Sequence, residues 1–294
     1  MKAAQDIGPG APPRLRRLDW KHSAPFFAIH LATLAAFWTG VSGPALVACL
    51  VTYLTRMFAI TGGFHRYFSH RTYKTGRIFQ FLLAWEGTAA VQKGVLWWAA
   101  NHRHHHAHSD TDLDTHSPVT GGFWWAHAGW FLCNEFDDTQ ERLIPDLLRF
   151  PELRFLNRFY WLPPVVLASG LLVFGGVQML VWGFFVSTVL LYHATFAVNS
   201  LAHLFGTRRF ATRDDSRNNW LIAIFTLGEG WHNNHHYSPS IERQGLLWWE
   251  IDFAHYTLKA LSGAGLVWDL REPGSRLSNL ESGSVLYRRG SKPD

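Results

Sequence analysis

Cysteine is close to absent from this chain: Cys49 and Cys133 are the only two in 294 residues. Two thiols cannot build a four-cysteine zinc or iron-sulfur site, and they are too few for a disulfide-stapled secreted fold. Charge is scarce as well. Lys, Arg, Asp and Glu make up 17% of the residues, against about 25% in an ordinary soluble domain. What fills the gap is apolar: 48% of the chain is hydrophobic, with 15 tryptophans and 22 phenylalanines. The mean hydropathy of −0.04 places only part of the chain in lipid, the rest being a polar body. The net charge of +5, beside aromatic-rich runs, points to anionic lipid headgroups and not to nucleic acid.

Four apolar runs carry that composition: Ala24 to Trp38, Pro44 to Ile60, Trp161 to Phe174 and Val177 to Phe196. The turn "TGVSG" separates the first pair, and Gly175 and Gly176 the second. Each run approaches the ~20 residues that cross a bilayer as helix, so spans are predicted at 24–41, 44–61, 161–175 and 177–199. Buried helices of a soluble bundle normally show a polar stripe, and these show little. A cleaved leader is disfavoured for the first run, because no small-residue cleavage site precedes the equally apolar second. Arg56 is the one charge inside them, and it is expected to snorkel out. Both interspan turns lack Lys and Arg, whereas 61–158 and the chain beyond 200 carry many; the positive-inside rule therefore puts both termini and the histidine-rich sequence in the cytosol. The segment Ile78 to Ala100, interrupted by Glu86, Gln92 and Lys93, is predicted as an interfacial or cap helix with one polar face. Residues 1–23, basic through Arg14, Arg16, Arg17 and Lys21, are predicted as a tail, and 273–294 as a disordered one. The expected fold is an all-α integral membrane protein, four transmembrane helices in two hairpins, with a cytosolic helical cap from 62–158 and 200–272. Residues 24–272 form one domain in this scheme.

Seventeen histidines stand out against that background, five of them within "HRHHHAH" at 102–108. Three clusters recur: "HRYFSH" (His65, His70), "HRHHH" (His102 to His106) and "HNNHH" (His232, His235, His236). The last two share the spacing H-x-x-H-H. On a helix, positions i and i+4 lie about 40° apart and i+3 leans to the side. Two such helices face to face imply two metals with exchanged ligands, His102 and His106 with His235, and His232 and His236 with His105. "HRYFSH" does not converge on a regular helix, so it is expected where the second span frays into the cap, completing the first shell. "NSLAH" places Asn199 and His203 four apart at the end of the last span, where His203 can complete the second shell with Asn199 as a weak or water-mediated ligand. A shell this rich in imidazole exceeds four-coordinate zinc, and the lack of Cys-His copper spacing leaves non-haem iron. Two adjacent irons point to O₂ activation. His104 and His108 face away from the triplet. His116 and His127 are expected as outer hydrogen-bond partners or surface groups; His30 and His193 lie within the spans and His22 and His255 are isolated, and none of these four is expected as a ligand. Glu229 in "EGWH" is a single E-x-x-H, where the carboxylate di-iron architecture needs two.

With these residues in place the chain resembles the membrane fatty-acid desaturases of the stearoyl-CoA (delta-9 acyl) type, most closely in their bacterial form. "GGFHRYFSHRTYK", "NHRHHH" followed by "SDTDLDTHSP", "NSLAHLFG" and "GEGWHNNHH" stand in the family's order and spacing. The resemblance covers about residues 24–272. It implies nine histidines on two irons: His65, His70, His102, His106 and His235 on one, His105, His203, His232 and His236 on the other, with Asn199 linked through water. It also implies a bent acyl tunnel whose kink is lined by Gln92, Trp98 and Thr195. Animal acyl-CoA members carry Arg-Asp before the second box, where this chain has Ala100-Asn101. Asn101 thus stands at a substrate-binding position, and the change weakens the case for acyl-CoA and leaves room for acyl-lipid or acyl-carrier substrates.

The expected activity is O₂-dependent formation of a cis double bond in a saturated acyl chain. The rivals are a hydroxylase on the same scaffold and a metal transporter or sensor; the last predicts ligands lining a path through the spans, whereas nearly all the histidines lie outside them. No electron donor is built in. There is no His-Pro-Gly-Gly segment, and Gly263-Ala-Gly265 lacks the rest of a dinucleotide fingerprint. A separate ferredoxin, rubredoxin or cytochrome b5 type partner with its reductase is implied. The expected location is an integral position in a bacterial inner membrane.

Overall fold

A computed structural model describes residues 18–274 and 277. Most of both expected tails lies outside the described residues, and the first helix already begins within the N-terminal one. That first helical stretch is α1 (Trp20–Ala32), a 3-10 turn (Thr33–Ala35) and α2 (Ala36–Thr39), and it ends at Gly40 with φ 67°. Ser42 then caps α3 (Gly43–Phe58), accepting a hydrogen bond from the Ala45 N–H, which satisfies one of the donors a helix start leaves free. The helix does not fray after α3. It continues as a π-helix over Ala59–Ser69, every residue of which is buried. A π turn, closed by i to i+5 bonds, takes in more residues than an α turn and brings positions five apart closer to one face. The His70 N–H bonds the His65 carbonyl at 3.2 Å, so the two rings that a regular helix would separate now converge.

The segment expected as one helix over Ile78 to Ala100 is two, α4 (Arg77–Thr88) and α5 (Val95–His108). They part at a turn where Val91 and Lys93 both adopt positive φ. Short helices α6 (Pro118–Gly121), α7 (Phe123–His127), α8 (Pro145–Leu148) and α9 (Pro151–Arg158) follow. The second hairpin is α10 (Leu162–Leu180), a π segment (Val181–Val186) and α11 (Ser187–Leu204), broken at Gly176 with φ 73°. That conformation suits glycine alone without strain. The chain closes with α12 (Trp220–Phe225), α13 (His232–Tyr237) and α14 (Phe253–Gly263). The one departure from an all-helical body among the described residues is a two-stranded antiparallel pair, β1 (Lys74–Thr75) with β2 (Val267–Trp268).

Two stretches are long and apolar enough to cross a membrane, Gly43–Ser69 and Leu162–Leu204, the second containing the break at Gly176; Ser23–Thr39 is a shorter apolar helix. The hairpin tips meet, since Gln178 Nε2 donates to Thr39 O at 2.8 Å and Trp182 Nε1 to Gly40 O at 2.8 Å. Phe37, Trp38 and Phe174 beside them are almost fully exposed, a surface that suits lipid. At the opposite end, Phe64, Phe68, Leu83, Val95, Leu96, Leu153 and Leu156 join the π-helix, α4, α5 and α9 into the main core. Arg56 does not snorkel. It is fully buried, because serine and threonine hydroxyls of the second hairpin reach it from inside.

Candidate metal centre

The π-helix, α5, the end of α11 and α13 aim nine histidines into one buried region. Ring nitrogens of His65, His70, His102, His106 and His235 lie within 4.8 Å of one another, and those of His105, His203, His232 and His236 do likewise. The exchange follows from helical angle: α5 sends His102 and His106 one way and His105 the other, while α13 sends His232 and His236 one way and His235 the other. The sets adjoin through the His106 and His236 rings, stacked at 4.4 Å.

Hydrogen bonds among imidazoles do not account for the spacing. His235 Nε2 lies 3.0 Å from His65 Nε2 and 2.9 Å from His106 Nε2, and a single N–H cannot satisfy both. His70 Nε2 and His102 Nε2 are 2.8 Å apart, His203 Nε2 and His232 Nε2 3.0 Å. Ligands at right angles on an ion with bonds of about 2.1 Å would stand about 3.0 Å apart, and tetrahedral ligands about 3.4 Å. These close contacts between ring nitrogens suit donors gathered around a common centre.

Carboxylates orient the rings from outside. Asp110 accepts from His203 Nδ1 at 2.8 Å, Asp114 from His105 Nδ1 at 2.9 Å and Asp214 from His236 Nδ1 at 2.6 Å. Glu229 contacts His65 Nδ1. With the proton held on Nδ1, each Nε2 turns its lone pair inward. His236 Nε2 is buried with no hydrogen-bond partner, as a metal-binding nitrogen would be. Burial and neighbouring rings push His70, His102, His106, His232 and His235 well below the usual imidazole range, and His236 to about 4. These rings are neutral at pH 7 and able to coordinate. Burial lowers His105 too, but the Asp114 carboxylate more than offsets it and leaves the ring above its ordinary value. Behind Glu229, the buried Arg66 guanidinium also bonds Glu242 at 3.1 Å and Asp252 at 2.9 Å, which ties the π-helix to the chain around α13 and α14.

A cavity of about 200 Å³ opens beside the clusters and reaches Pro25 and Phe26 on α1, with His65, His102, His105 and His232 in its wall. Gln92, Trp98, Thr195, Asn101 and Asn199 all line it. Gln92 Nε2 donates to Thr195 Oγ1 at 2.8 Å, and Trp98 Nε1 to Gln92 Oε1 at 3.4 Å. Trp98 also stacks on His102 at 5.0 Å. Asn101 donates to Trp97 O at 3.0 Å while its own Oδ1 is buried and unpartnered.

Of the remaining histidines, His255, expected as isolated, is the one that departs from expectation among the described residues. His104 packs on His108 at 4.6 Å, apart from both clusters. His116 is buried, not at the surface, and stacks on His105 at 4.3 Å. His127 is buried as well. His127 bonds Ser200 at 2.9 Å and His193 at 3.0 Å, and His193 meets His30 at 3.1 Å. His255 pairs with Glu242 at 2.6 Å. Sequence reasoning missed the aspartates. Asp110 and Asp114 stand in the run that follows the second box and could have been sought there, whereas nothing local marks Asp214.

The description "fatty acid desaturase" belongs to the family whose profile matches residues 42–270. An sn-1 stearoyl-lipid 9-desaturase of Anabaena variabilis is 37% identical over 262 residues, covering 87% of this chain and 94% of that protein. An sn-2 palmitoyl-lipid 9-desaturase of Nostoc sp. (strain 36) is 38% identical, covering 87% and 90%. An acyl-CoA C20 Delta5-desaturase of Anemone leveillei is 36% identical, covering 86% and 79%.

Proposed function

This chain belongs to the fatty acid desaturase family, and from that premise we propose that it is a four-span membrane enzyme with two iron ions, forming a cis double bond, at delta-9, in an acyl-lipid. The observation that carries the reading is the pair of five- and four-histidine clusters in the wall of an apolar cavity. Iron suits all-imidazole donor sets of this size, one of them holding five histidines where zinc takes four ligands. Bound there, two irons would supply the redox chemistry in which O₂, two electrons and two protons take two hydrogens from adjacent methylenes, giving one double bond and two waters.

The chain's own residues do the rest. His65, His70, His102, His106 and His235 would hold one ion, and His105, His203, His232 and His236 the other, with Asn199 reaching the second through water. Asp110, Asp114, Asp214 and Glu229 keep the protons on Nδ1. Gln92, Thr195 and Trp98 form a bonded corner against which an alkyl chain can bend, and Trp98 on His102 fixes that corner relative to the metal. An unactivated methylene offers no polar handle, so position along the chain is set by where the wall stops it. The packed aromatic wall excludes water from the oxidising site. The neutral Ala100-Asn101 offers no charged group for a CoA arm, and the unpartnered Asn101 Oδ1 suits a hydroxyl or amide donor near the acyl ester. Electrons come from a separate ferredoxin, rubredoxin or cytochrome b5 type donor, and the active site faces the cytosol of a bacterial inner membrane.

Expression in a host lacking desaturases, with analysis of acyl chains by lipid class, tests the reading. Unsaturated chains on glycerolipids are expected. Hydroxylated chains alone would replace desaturase by hydroxylase, and fully active protein containing only zinc would overturn the iron assignment.

A further inference from the structure

Arg56 is a buried cation within an apolar helix, and among the described residues no carboxylate forms an ion pair with it. Its bonds all go to neutral oxygens. Nε donates to Thr52 O at 2.8 Å, Nη1 to Thr188 Oγ1 at 2.7 Å and to Ala89 O at 3.2 Å, and Nη2 to Ser187 Oγ at 2.5 Å. A charge at this depth is costly, and an apolar residue would fill the same space without that cost. The bond that reaches beyond the two hairpins is the one to Ala89.

Ala89 follows the last residue of α4 and opens the turn to α5. The final carbonyls of a helix lack intrahelical donors and carry the negative end of its dipole, so a guanidinium there is doubly favourable. The second hairpin holds the same turn again, through Tyr192 Oη donating to Val91 O at 2.9 Å. Such holding is needed. Val91 at φ 60° and Lys93 at φ 63° sit in the left-handed region, where a β-branched valine is strongly disfavoured and persists only if its surroundings impose it. Between these two residues stands Gln92, bonded to Thr195 and Trp98 in the cavity wall.

We propose that Arg56 is a positioning residue that sets regiochemistry: by fixing Ala89 against Ser187 and Thr188, it fixes how far the Gln92 corner projects into the cavity, and so which carbon pair comes to rest at the metal clusters. The proposal rests on the desaturase reading above. Lysine cannot replace arginine here, since one ammonium does not span the carbonyl and both hydroxyls as a planar fork does.

The test compares Arg56→Gln, Arg56→Lys and Thr188→Val with the unaltered full chain in the desaturase-free host, locating double bonds by mass spectrometry of their disulfide adducts. Both arginine variants are expected to shift the ratio of positional isomers several-fold, and Thr188→Val, which keeps the charge, to shift it the same way by less. An unchanged ratio with only a lower yield or melting temperature would make Arg56 merely structural and overturn the proposal. Hydrogen exchange at 89–94 in purified protein reads the positioning without turnover. Faster exchange in the arginine variants is expected, and unchanged protection overturns the proposal even in a preparation that makes no product. Absence of unsaturated product from the unaltered chain, given a competent donor, strikes instead at the desaturase reading.

Discussion

An imidazole has two nitrogens, and the carboxylates around this site decide which of them faces inward. Asp214 accepts from His236 Nδ1, and that ring's Nε2 has no other partner. Replacing Asp214 by Asn keeps the volume but weakens the hold on the tautomer. Metal content of the purified Asp214→Asn protein is expected to fall with a loss of affinity of about 10- to 100-fold, measured by titration with a competing chelator. A sharper contrast exists on α5. His105 belongs to the second cluster, while His104 packs on His108 away from both. His105→Ala should abolish turnover and release metal, and His104→Ala should leave metal content unchanged with a modest loss of rate; equal losses would refute the division of that run by helical angle. This division was legible in the sequence because it needs only the helical period. The orienting carboxylates were not, since Asp214 meets its histidine only after the chain folds back on itself.

At the scale of elements, spacing foretold how the histidines group where the backbone is regular, and missed the local conformation where it is not. The H-x-x-H-H triplets on α5 and α13 could be placed by angle alone. "HRYFSH" was expected to complete the first cluster from a frayed helix end, and its rings do join that cluster, but from a π-helix, which nothing in its residues announces. The break between α4 and α5 was hidden for a related reason. Val91 and Lys93 are poor residues for a left-handed turn, and bonds from elsewhere in the chain impose it. α13 itself is short, and its position depends on the approach of Gly230 to α12. A Cβ added there would lie 2.1 Å from Ala223 N and 2.3 Å from Asn219 O, both backbone atoms that cannot step aside. Gly230→Ala should therefore displace His232, His235 and His236 together. The expected result is loss of both metals at once, measured by elemental analysis, with helix content by circular dichroism nearly unchanged.

Across the whole molecule, neutral buried histidines make stability depend on pH in a predictable direction. His127, buried on α7 between Ser200 and His193, is lowered by burial and by His193 to about 4, against about 6.5 in an unfolded chain. Between those values the unfolded state binds the extra proton, so stability rises with pH and falls as pH drops from about 6.5 toward 4. Asp146 acts in a lower window. Its carboxylate, held by Arg103 and Arg71 at about 2 despite burial, contributes stability above the unfolded aspartate value that is lost as pH falls through about 2. Metal-free protein in detergent should thus show a melting temperature that declines from neutral pH to pH 4, before any carboxylate contribution is lost. His127→Gln, with no proton to gain, should make that first decline shallower, the rest of it belonging to the buried cluster histidines. Metal-loaded protein should melt at a higher temperature than metal-free protein at neutral pH, because the ions clamp the π-helix, α5, α11 and α13 to one another. Equal melting temperatures with and without metal would mean that the clusters do not hold the hairpins and the cap together.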